Sequence, residues 1–322
     1  MRALVTGATG FLGSHLATRL ASDGHSVRVL ARSTSDLSRL ADVDHEVAIG
    51  DVSDVSSFRQ AAGGVDAVFH CAAMYEMGPA DPSSMDAVNI GGVHAAIEAA
   101  TEAGAVLVHV SSVTAIGPTG TVVRDESFWA GNEPLTHYER TKRAGHLVAR
   151  RAAADGADVR IVSPGGIYGP GDVSTLGRMI ERYMTTPSPI GWRPDGMQSA
   201  VNVDDAADLI VKVFERGAPG EEYLACAQAV TFAEWFAEIA AAAGRRPPFL
   251  NMGDRTLRVA ARVARAVKPV LGQRGPMVSE YLATMGCDYA FSGDKARTEL
   301  GWKPVDLADG MRAYAAAIGA AG

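Results

Sequence analysis

The chain has 322 residues, of which 47% are hydrophobic and 21% charged, and its formal net charge is −7 with a pI near 5.6. This length and composition indicate a folded globular protein with a full core, arranged as one large domain or two interleaved ones. The acidic balance disfavours a nucleic-acid partner, because binding to phosphates needs a basic surface.

The sequence shows no membrane span and no metal site. No apolar run approaches the ~20 residues that a span needs, and Met1-Arg2 leads directly into a predicted strand instead of a signal peptide. We therefore expect a cytoplasmic protein. The three cysteines, Cys71, Cys226 and Cys287, lack metal-ligand spacing, so we expect reduced thiols.

The first elements are a predicted strand, a glycine-rich turn and a predicted helix. Apolar residues 3–5 precede glycines at a G-x-x-G-x-x-G spacing, and an amphipathic stretch covers 14–22. Glycine allows a tight turn and close approach of the backbone to a pyrophosphate, and a helix N-terminus attracts phosphate. The pattern predicts a dinucleotide site, with a purely structural turn as the alternative. The residues expected to contact the dinucleotide are Gly7, Thr9, Gly10, Phe11, Leu12 and Gly13.

The end of the second predicted strand, 27–30, indicates which dinucleotide binds. A site for NAD usually has Asp or Glu there to accept from the ribose hydroxyls, whereas the 2′-phosphate of NADP needs a cation. This chain has Ala31-Arg32-Ser33 instead, and arginine pairs well with phosphate. We therefore predict NADP, with NAD as the alternative cofactor. The competing interpretation is that Arg32 is a solvated surface charge.

The third and fourth predicted strands, 46–49 and 67–70, end in further candidate contacts. Asp51, followed by Val52, comes directly after the third strand, at the carboxyl edge where ligands collect in open α/β sheets. Its carboxylate either accepts from the adenine amino group or caps the next helix, and both interpretations stay open. After the fourth strand, the small side chains of Ala72-Ala73 let the backbone approach the cofactor.

A helix is predicted from 84 to 103, in which we expect Asn89 and Gly91 to serve packing. The next strand, 105–110, is nearly all apolar, as expected for a central parallel strand buried on both faces. A polar loop over 117–134 follows, and a loop of this unusual length often contributes to a site.

The next predicted helix, 137–154, carries an acid–base motif. Tyr138 and Lys142 lie one turn apart on the same face, and Ser112 ends the preceding buried strand. Reduction of a carbonyl needs a proton at the oxygen, and a tyrosine with a pKa near 10 gives it up more readily beside an ammonium. We therefore predict that Tyr138 transfers the proton, Lys142 lowers its pKa and binds the nicotinamide ribose, and Ser112 holds the substrate oxygen. The alternative is a surface Tyr/Lys pair and a serine in a turn.

After the strand 158–162, the Gly/Pro-rich segment 163–172 must leave the sheet. A smaller cap domain follows, in which residues 202–205 open a helix that returns to the sheet. Its other predicted elements are the helices 174–184, 232–243, 255–267, 295–300 and 307–318 and the strand 222–225. One helix face carries Arg258, Arg262 and Arg265, which either contact anionic lipid or a partner or form a solvated face.

Motifs along almost the whole chain resemble those of the extended short-chain dehydrogenase/reductases. They are Thr6–Gly13, Gly50–Val52, Ala72-Ala73, Ser111-Ser112, Tyr138 with Lys142, and the segments 164–171, 201–205 and 300–304. The resemblance implies an α/β fold: a Rossmann doubly wound parallel sheet with a smaller C-terminal α/β substrate domain. It divides the chain into an NADP-binding domain, residues 1–172 completed by about 201–226, and a mainly substrate-binding domain, residues 173–322. It also implies a nicotinamide cofactor, contacted by Tyr138, Lys142 and Ile167 as well, and catalysis by Ser112, Tyr138 and Lys142.

Departures from the family patterns narrow the function. Sugar-nucleotide dehydratases carry an Asp-Glu pair where this chain has Thr114-Ala115, and epimerases carry an arginine just before 201–205, where this chain has 196–200 without one. Arg178, Arg182 or Arg193 would have to replace that arginine. The chain is thus most similar to the branch of dihydroflavonol reductases, aldehyde/ketone reductases and 3β-hydroxysteroid dehydrogenase-like proteins.

These features predict an NADP(H)-dependent oxidoreductase that interconverts a carbonyl and an alcohol on a mid-sized, largely apolar small molecule. The alternatives are a nucleotide-sugar epimerase with tightly bound NAD and, more remotely, an NADP-binding sensor without catalysis. The predicted substrate contacts are Met74, Ser112, Trp129, Tyr168 and Trp192. Related proteins often pair through two helices, here 84–103 and 137–154, so we expect a homodimer.

Overall fold

The computed structural model describes residues 1–79, 81–266, 280 and 283–319. Its central sheet has seven strands: β1 (Arg2–Thr6), β2 (Ser26–Ala31), β3 (His45–Ile49), β4 (Ala67–His70), β5 (Val106–Val110), β6 (Val159–Pro164) and β10 (Glu222–Ala225). Their order in space is β10-β6-β5-β4-β1-β2-β3, and each neighbouring pair is parallel. The predicted doubly wound parallel sheet is confirmed.

Helices cover both faces of this sheet. They are α1 (Phe11–Ser22), α2 (Val55–Ala62), α3 (Pro82–Asp86), α4 (Gly92–Ala103), α5 (Val113–Ile116), α6 (His137–Ala154), α8 (Val203–Arg216) and α11 (Asp294–Leu300). One core lies between the sheet and α1 with α8, and the other lies between the sheet and α2, α4 and α6. Alternate residues of β1 enter the two cores: Val5 enters the first and Leu4 the second, and both are fully buried. Burial on both faces explains why these strands are continuously apolar.

The part of the chain after β6 forms two small sheets that the sequence analysis did not predict. The first contains β7 (Gly166–Tyr168), β9 (Met197–Asn202) and β11 (Gln228–Thr231); the second pairs β8 (Ile190–Trp192) with β12 (Leu250–Met252). Four helices accompany them: α7 (Thr175–Thr185), α9 (Phe232–Ala242), α10 (Asp254–Ala266) and α12 (Leu307–Ala317). A third core joins Met184 of α7, Trp235 of α9 and Tyr314 of α12. Each of these strands has three to six residues.

The segment predicted as one helix over 84–103 consists of three pieces. Helix α3 continues through a wider π-helical turn, Ala87–Gly91, into α4. Such turns often occur at functional sites, and this one holds Asn89. The packing role expected for Gly91 is wrong, because a Cβ built there would meet no atom within 4 Å.

Within the described residues of the chain, no helix combines the length and the apolar character that a transmembrane span requires.

Candidate active site

The glycine turn between β1 and α1 leaves no room for side chains. Gly7 has a φ of +70°, and a Cβ there would lie 2.7 Å from the Ala72 nitrogen. A Cβ on Gly13 would lie 2.2 Å from the Gly7 carbonyl oxygen. Gly10 donates its N–H to that same oxygen at 2.9 Å and directly precedes α1. The turn therefore brings the first N–H groups of α1, which have no helical partners, to the edge of the sheet.

A cleft of about 500 Å³ opens over this turn. Two rims flank the glycine turn: the segment after β2 and β3, with Arg32, and the segment after β4, with Met74. The cleft is lined by Gly7, Thr9, Gly10, Phe11, Leu12, Gly13, Leu30, Ala31, Arg32, Ser35, Gly50, Asp51, Val52, Cys71, Ala72, Ala73, Met74 and Val88. The structure thus gathers most of the predicted cofactor contacts around one cavity. Ile167 of β7, Tyr138 and Lys142 are not among the residues that line it.

Arg32 and Asp51 lie on the rim next to the ends of β2 and β3. Among the described residues, the exposed Arg32 guanidinium makes no hydrogen bond and no ion pair. The Asp51 carboxylate accepts from the N–H of Ser53 at 2.9 Å and from its hydroxyl at 2.7 Å. These hydrogen bonds, with a contribution from the Arg32 charge, lower the pKa of Asp51. The alternative in which Asp51 caps the next helix is wrong, because the Asp54 side chain caps α2.

The cleft fits a dinucleotide. Its floor is bare backbone that a Cβ would block, the N-terminus of α1 faces the middle, and a cation lies at the rim beside β2. The bare backbone and the helix N-terminus suit the pyrophosphate of a dinucleotide in a doubly wound sheet. The turn residues Gly7–Gly13 would hold the pyrophosphate, and the rim with Arg32 and Asp51 would hold the adenosine half.

Tyr138 and Ser112 meet beside this cleft. Their side chains share a hydrogen bond, and the Ser112 hydroxyl also accepts from the Thr114 N–H at 3.2 Å. The Tyr75 ring, next to Met74 of the cleft lining, packs edge-on against the Tyr138 ring with the centroids 4.8 Å apart. Burial first, and then Tyr75, raise the pKa of Tyr138, whereas the Ser112 hydrogen bond lowers it. The net shift is upward, opposite to the expected one, so the phenol is neutral at ordinary pH.

Lys142 is buried one turn further along α6. Its ammonium donates to the Val110 carbonyl oxygen at 3.1 Å, and only 5% of the residue is exposed. Burial lowers the pKa of Lys142 to about 8. The structure therefore places the lysine below the tyrosine, where it holds the end of β5 in addition to its predicted contact with a ribose.

Sequence analysis missed a row of buried histidines beneath Lys142. His70 and His109 are register partners on β4 and β5, and their rings stack with centroids 5.7 Å apart. His146 of α6 bonds the Ser111 hydroxyl through Nδ1 at 2.8 Å, and its Nε2 lies 3.3 Å from a Glu222 carboxylate oxygen. Burial lowers the pKa of His70 to about 3 and that of His109 well below its ordinary value, so both rings are neutral. Histidines at the ends of otherwise apolar strands were the signal available in the sequence.

Asn89 has a larger role than packing. Its amide oxygen accepts from the Met74 N–H at 2.7 Å, and its amide nitrogen donates to the Met74 carbonyl at 2.9 Å and to the Thr141 hydroxyl at 2.9 Å. The π-helical turn thus ties the cleft rim to α6 between Tyr138 and Lys142. An amide inside an apolar helical stretch was the sequence signal.

The structure does not bring the predicted aromatic substrate contacts to the cleft. Trp129 packs against His146 at 5.3 Å between ring centroids, Tyr168 is 1% exposed in the third core, and Trp192 packs on Phe236 at 4.8 Å. Met74 alone of that apolar set lines the cavity. The long loop over 117–134 is anchored elsewhere, since Glu126 accepts from the Leu224 N–H at 3.1 Å.

The arginine candidates for a sugar diphosphate are also engaged elsewhere. Arg193 is 6% exposed and pairs with Asp288 at 2.8 Å, while it donates to the Cys287 carbonyl at 3.0 Å. Arg178 bonds the Val173 carbonyl. Both are held by the protein itself, so of the three candidates only Arg182 is exposed without a hydrogen bond or ion pair to the described residues.

Comparison with known proteins agrees with this geometry. Residues 3–226 match the model of the NAD dependent epimerase/dehydratase family. The "Sterol demethylase protein B" of Methylococcus capsulatus is 32% identical over 80% of this chain and 81% of its own length. The "3 beta-hydroxysteroid dehydrogenase/Delta 5-->4-isomerase" of Mycobacterium tuberculosis is 28% identical over 94% and 86%. Among solved structures, DesIV, a dTDP-glucose 4,6-dehydratase from Streptomyces venezuelae with NAD and TYD bound, is 26% identical over 98% of this chain and 95% of its own, with a TM-score of 0.76.

Proposed function

Since the chain belongs to the NAD dependent epimerase/dehydratase family and is an NAD(P)-dependent oxidoreductase of the short-chain type, we propose that it interconverts a carbonyl and an alcohol with NADP(H). The observation that carries the proposal is the meeting of Tyr138 and Ser112, above a buried Lys142, beside a cleft with a cation at its rim. This set suits proton transfer at a carbonyl oxygen next to a nicotinamide.

The bound nicotinamide supplies or accepts the hydride at the carbonyl carbon. During reduction, the neutral Tyr138 phenol gives its proton to the carbonyl oxygen, and Ser112 orients that oxygen through its hydroxyl. Lys142, charged below pH 8, stabilises the phenolate that remains and donates to a ribose hydroxyl of the cofactor. In the direction of oxidation the same phenolate takes the proton of the alcohol.

We propose a mid-sized, largely apolar substrate. The rim next to Tyr138 carries Met74 and Tyr75, and flexible or aromatic apolar side chains suit irregular apolar ligands. Two relatives carry sterol and hydroxysteroid names, which agrees with this substrate class. Residues 1–172, completed by about 201–226, would bind the cofactor, and residues 173–322 would mainly cover the substrate.

Replacing Arg32 with Ala is expected to raise the Kd for NADPH at least about tenfold, because a charge-assisted pair with phosphate contributes about 1.5–3 kcal/mol. The Kd for NADH, which has no 2′-phosphate, should change less than about threefold. Titration of intrinsic and NADPH fluorescence measures both values. Arg59→Ala, which removes an exposed arginine on α2, is the control. Equal losses for both cofactors would contradict the assignment of Arg32 to the phosphate.

The rate of reduction should fall as the pH rises above about 8, because Lys142 has a pKa of about 8 and then loses its charge. The profile of kcat/KM from about pH 6 to about pH 10 reports this ionisation in the free enzyme. Lys142→Met should have a much lower rate and lack this limb. A fall in kcat/KM above about pH 8 that persists in Lys142→Met would contradict the assignment.

The lowered pKa of Lys142 also affects stability. Between about pH 8 and the ordinary value of 10.5, Lys142 holds its proton only in the unfolded chain, so the free energy of unfolding rises with pH in this range.

A nucleotide-sugar epimerase is the second candidate, because DesIV acts on such a sugar and was solved with NAD. It predicts NAD that stays bound through purification. Absorbance of the supernatant after denaturation distinguishes the two, since an NADP(H)-dependent reductase exchanges its cofactor freely.

The homodimer through the helices 84–103 and 137–154 and the cytoplasmic location remain proposals, which light scattering and cell fractionation test. Leu147, exposed on α6, suits such an interface.

A further inference from the structure

A group of large apolar side chains around β8, β12 and α10, in the C-terminal part of the chain, is exposed to solvent. We call it the Phe249 face, after its most exposed member: 75% of Phe249 is accessible to solvent. Its other members lie on β8, β12 and α10, and each is at least one-third exposed: Ile190, Leu250, Met252, Val259 and Val263. The strand register places Leu250 beside Ile190, and the N–H groups of Phe249 and Leu250 both bond the Pro189 carbonyl oxygen. The backbone therefore holds Ile190, Phe249 and Leu250 next to one another.

Helix α10 follows β12 closely in the chain, and one of its sides is buried. Leu257 is 2% exposed, so its side of the helix packs on the protein. Val259 and Val263, at i and i+4, occupy the opposite side and are more than half exposed. Arg255 and Arg262 are exposed next to them. The side chains of Arg258 and Arg265, predicted to share a face with Arg262, lie outside the described residues.

The charge of this region opposes that of the whole protein. Between 245 and 266 the only acidic residue is Asp254. The basic residues of the same stretch are Arg245, Arg246, Arg255, Arg258, Arg262 and Arg265. In a chain of net charge −7, such a local excess attracts an anionic surface.

We propose that the Phe249 face docks on an anionic lipid bilayer. Exposed apolar side chains with an aromatic residue among them enter the headgroup boundary, and flanking arginines reach the phosphates while their stems cover apolar surface. Each such arginine adds to the attraction of the protein to an anionic leaflet. A nucleic acid would use the charges but would leave Phe249, Leu250 and the two valines exposed to water. The proposal goes beyond the oxidoreductase activity and places this enzyme where apolar substrates accumulate.

Flotation of the full-length protein with vesicles tests the proposal. We expect binding to vesicles of phosphatidylcholine mixed with phosphatidylglycerol, much weaker binding to phosphatidylcholine alone, and loss of most binding at about 0.5 M salt. Failure to bind the anionic vesicles, or equal binding to both kinds, would overturn the proposal, whatever the protein does as an oxidoreductase.

Two pairs of variants assign the binding to this surface. Arg246→Glu with Arg262→Glu should lower the partition coefficient at least about tenfold, whereas Arg59→Glu with Arg151→Glu, which changes the net charge equally on other exposed helices, should lower it less than threefold. Phe249→Ser with Leu250→Ser should also lower it at least about fivefold, because these variants remove two large apolar side chains whose burial in the bilayer stabilises the bound state.

The control for the apolar pair is Val122→Ser with Val123→Ser, which removes two exposed apolar side chains from another loop. Circular dichroism and the melting temperature verify that every variant folds. Binding that follows net charge alone, equally reduced by both arginine pairs, would contradict docking through this face. The proposal would also be overturned if Phe249→Ser with Leu250→Ser left vesicle binding unchanged, or if the surface captured a protein and not vesicles.

Discussion

Tyr138→Phe is expected to lower kcat for carbonyl reduction by about 10²–10⁴, the usual contribution of a positioned proton donor. The substitution removes only the hydroxyl that bonds Ser112, and the phenylalanine ring keeps the edge-on contact with Tyr75. The Kd for NADPH should therefore stay within about threefold, since the cofactor cleft is lined by other residues. Stopped-flow oxidation of NADPH with a carbonyl compound found in an aldehyde and ketone screen gives kcat, and fluorescence titration gives Kd.

The matched control for this variant is Tyr183→Phe. Its hydroxyl donates to the Ile190 carbonyl in a different region of the chain, so kcat should stay near that of the unchanged protein. A Tyr138→Phe variant with more than about a tenth of the original kcat would contradict the role of Tyr138 as the proton donor.

Gly13→Ala is expected to weaken NADPH binding by about 100-fold or more. The new Cβ would lie 2.2 Å from the Gly7 carbonyl oxygen and 3.0 Å from the Ala8 Cα, so α1 must move away from the turn. The displaced N–H groups then lose their hydrogen bonds to the pyrophosphate, each contributing about 1.5–3 kcal/mol. Isothermal titration with NADPH measures the change, and the melting temperature reports the accompanying loss of stability.

Gly91→Ala provides the comparison, because it adds the same methyl group to a helical position with a φ of −59° and no atom within 4 Å. Its NADPH affinity should be unchanged, and its stability equal or slightly higher, since alanine is favoured over glycine in helices by about 0.5–1 kcal/mol. Equal affinity in Gly13→Ala and Gly91→Ala would contradict the close packing of turn and helix.

Local patterns in the sequence were sufficient to predict the central sheet. Strands such as β4 and β5 are continuous apolar runs that end in small or polar residues, so their type and their carboxyl ends could be identified without any long-range information. The glycine at position 13 similarly depends on a contact with a near neighbour in the chain, the Gly7 carbonyl oxygen. For this reason the fold and the family were predicted correctly, and most of the predicted cofactor contacts line one cleft.

Features that depend on contacts between distant residues were missed. The bonds of Asn89 to Met74 and Thr141 join three segments, and no periodicity in any one of them predicts the meeting. The pKa of Tyr138 was expected to fall because Lys142 is near in sequence, yet its burial depends on how Tyr75 folds over it. The short strands β8 and β12 pair across a long stretch of chain, so neither is recognisable alone.

The position of β10 at the edge of the sheet determines when this protein can fold during its synthesis. Strand β10 pairs with β6 through Glu222 to Ala225, although α7, α8 and several small-sheet strands separate the two along the chain. Until residue 225 has left the ribosome, β6 presents unpaired N–H and C=O groups, which invite pairing with other nascent chains. The seven-stranded sheet is thus not a unit that folds first, because it is completed only after much of the C-terminal half of the chain has been translated.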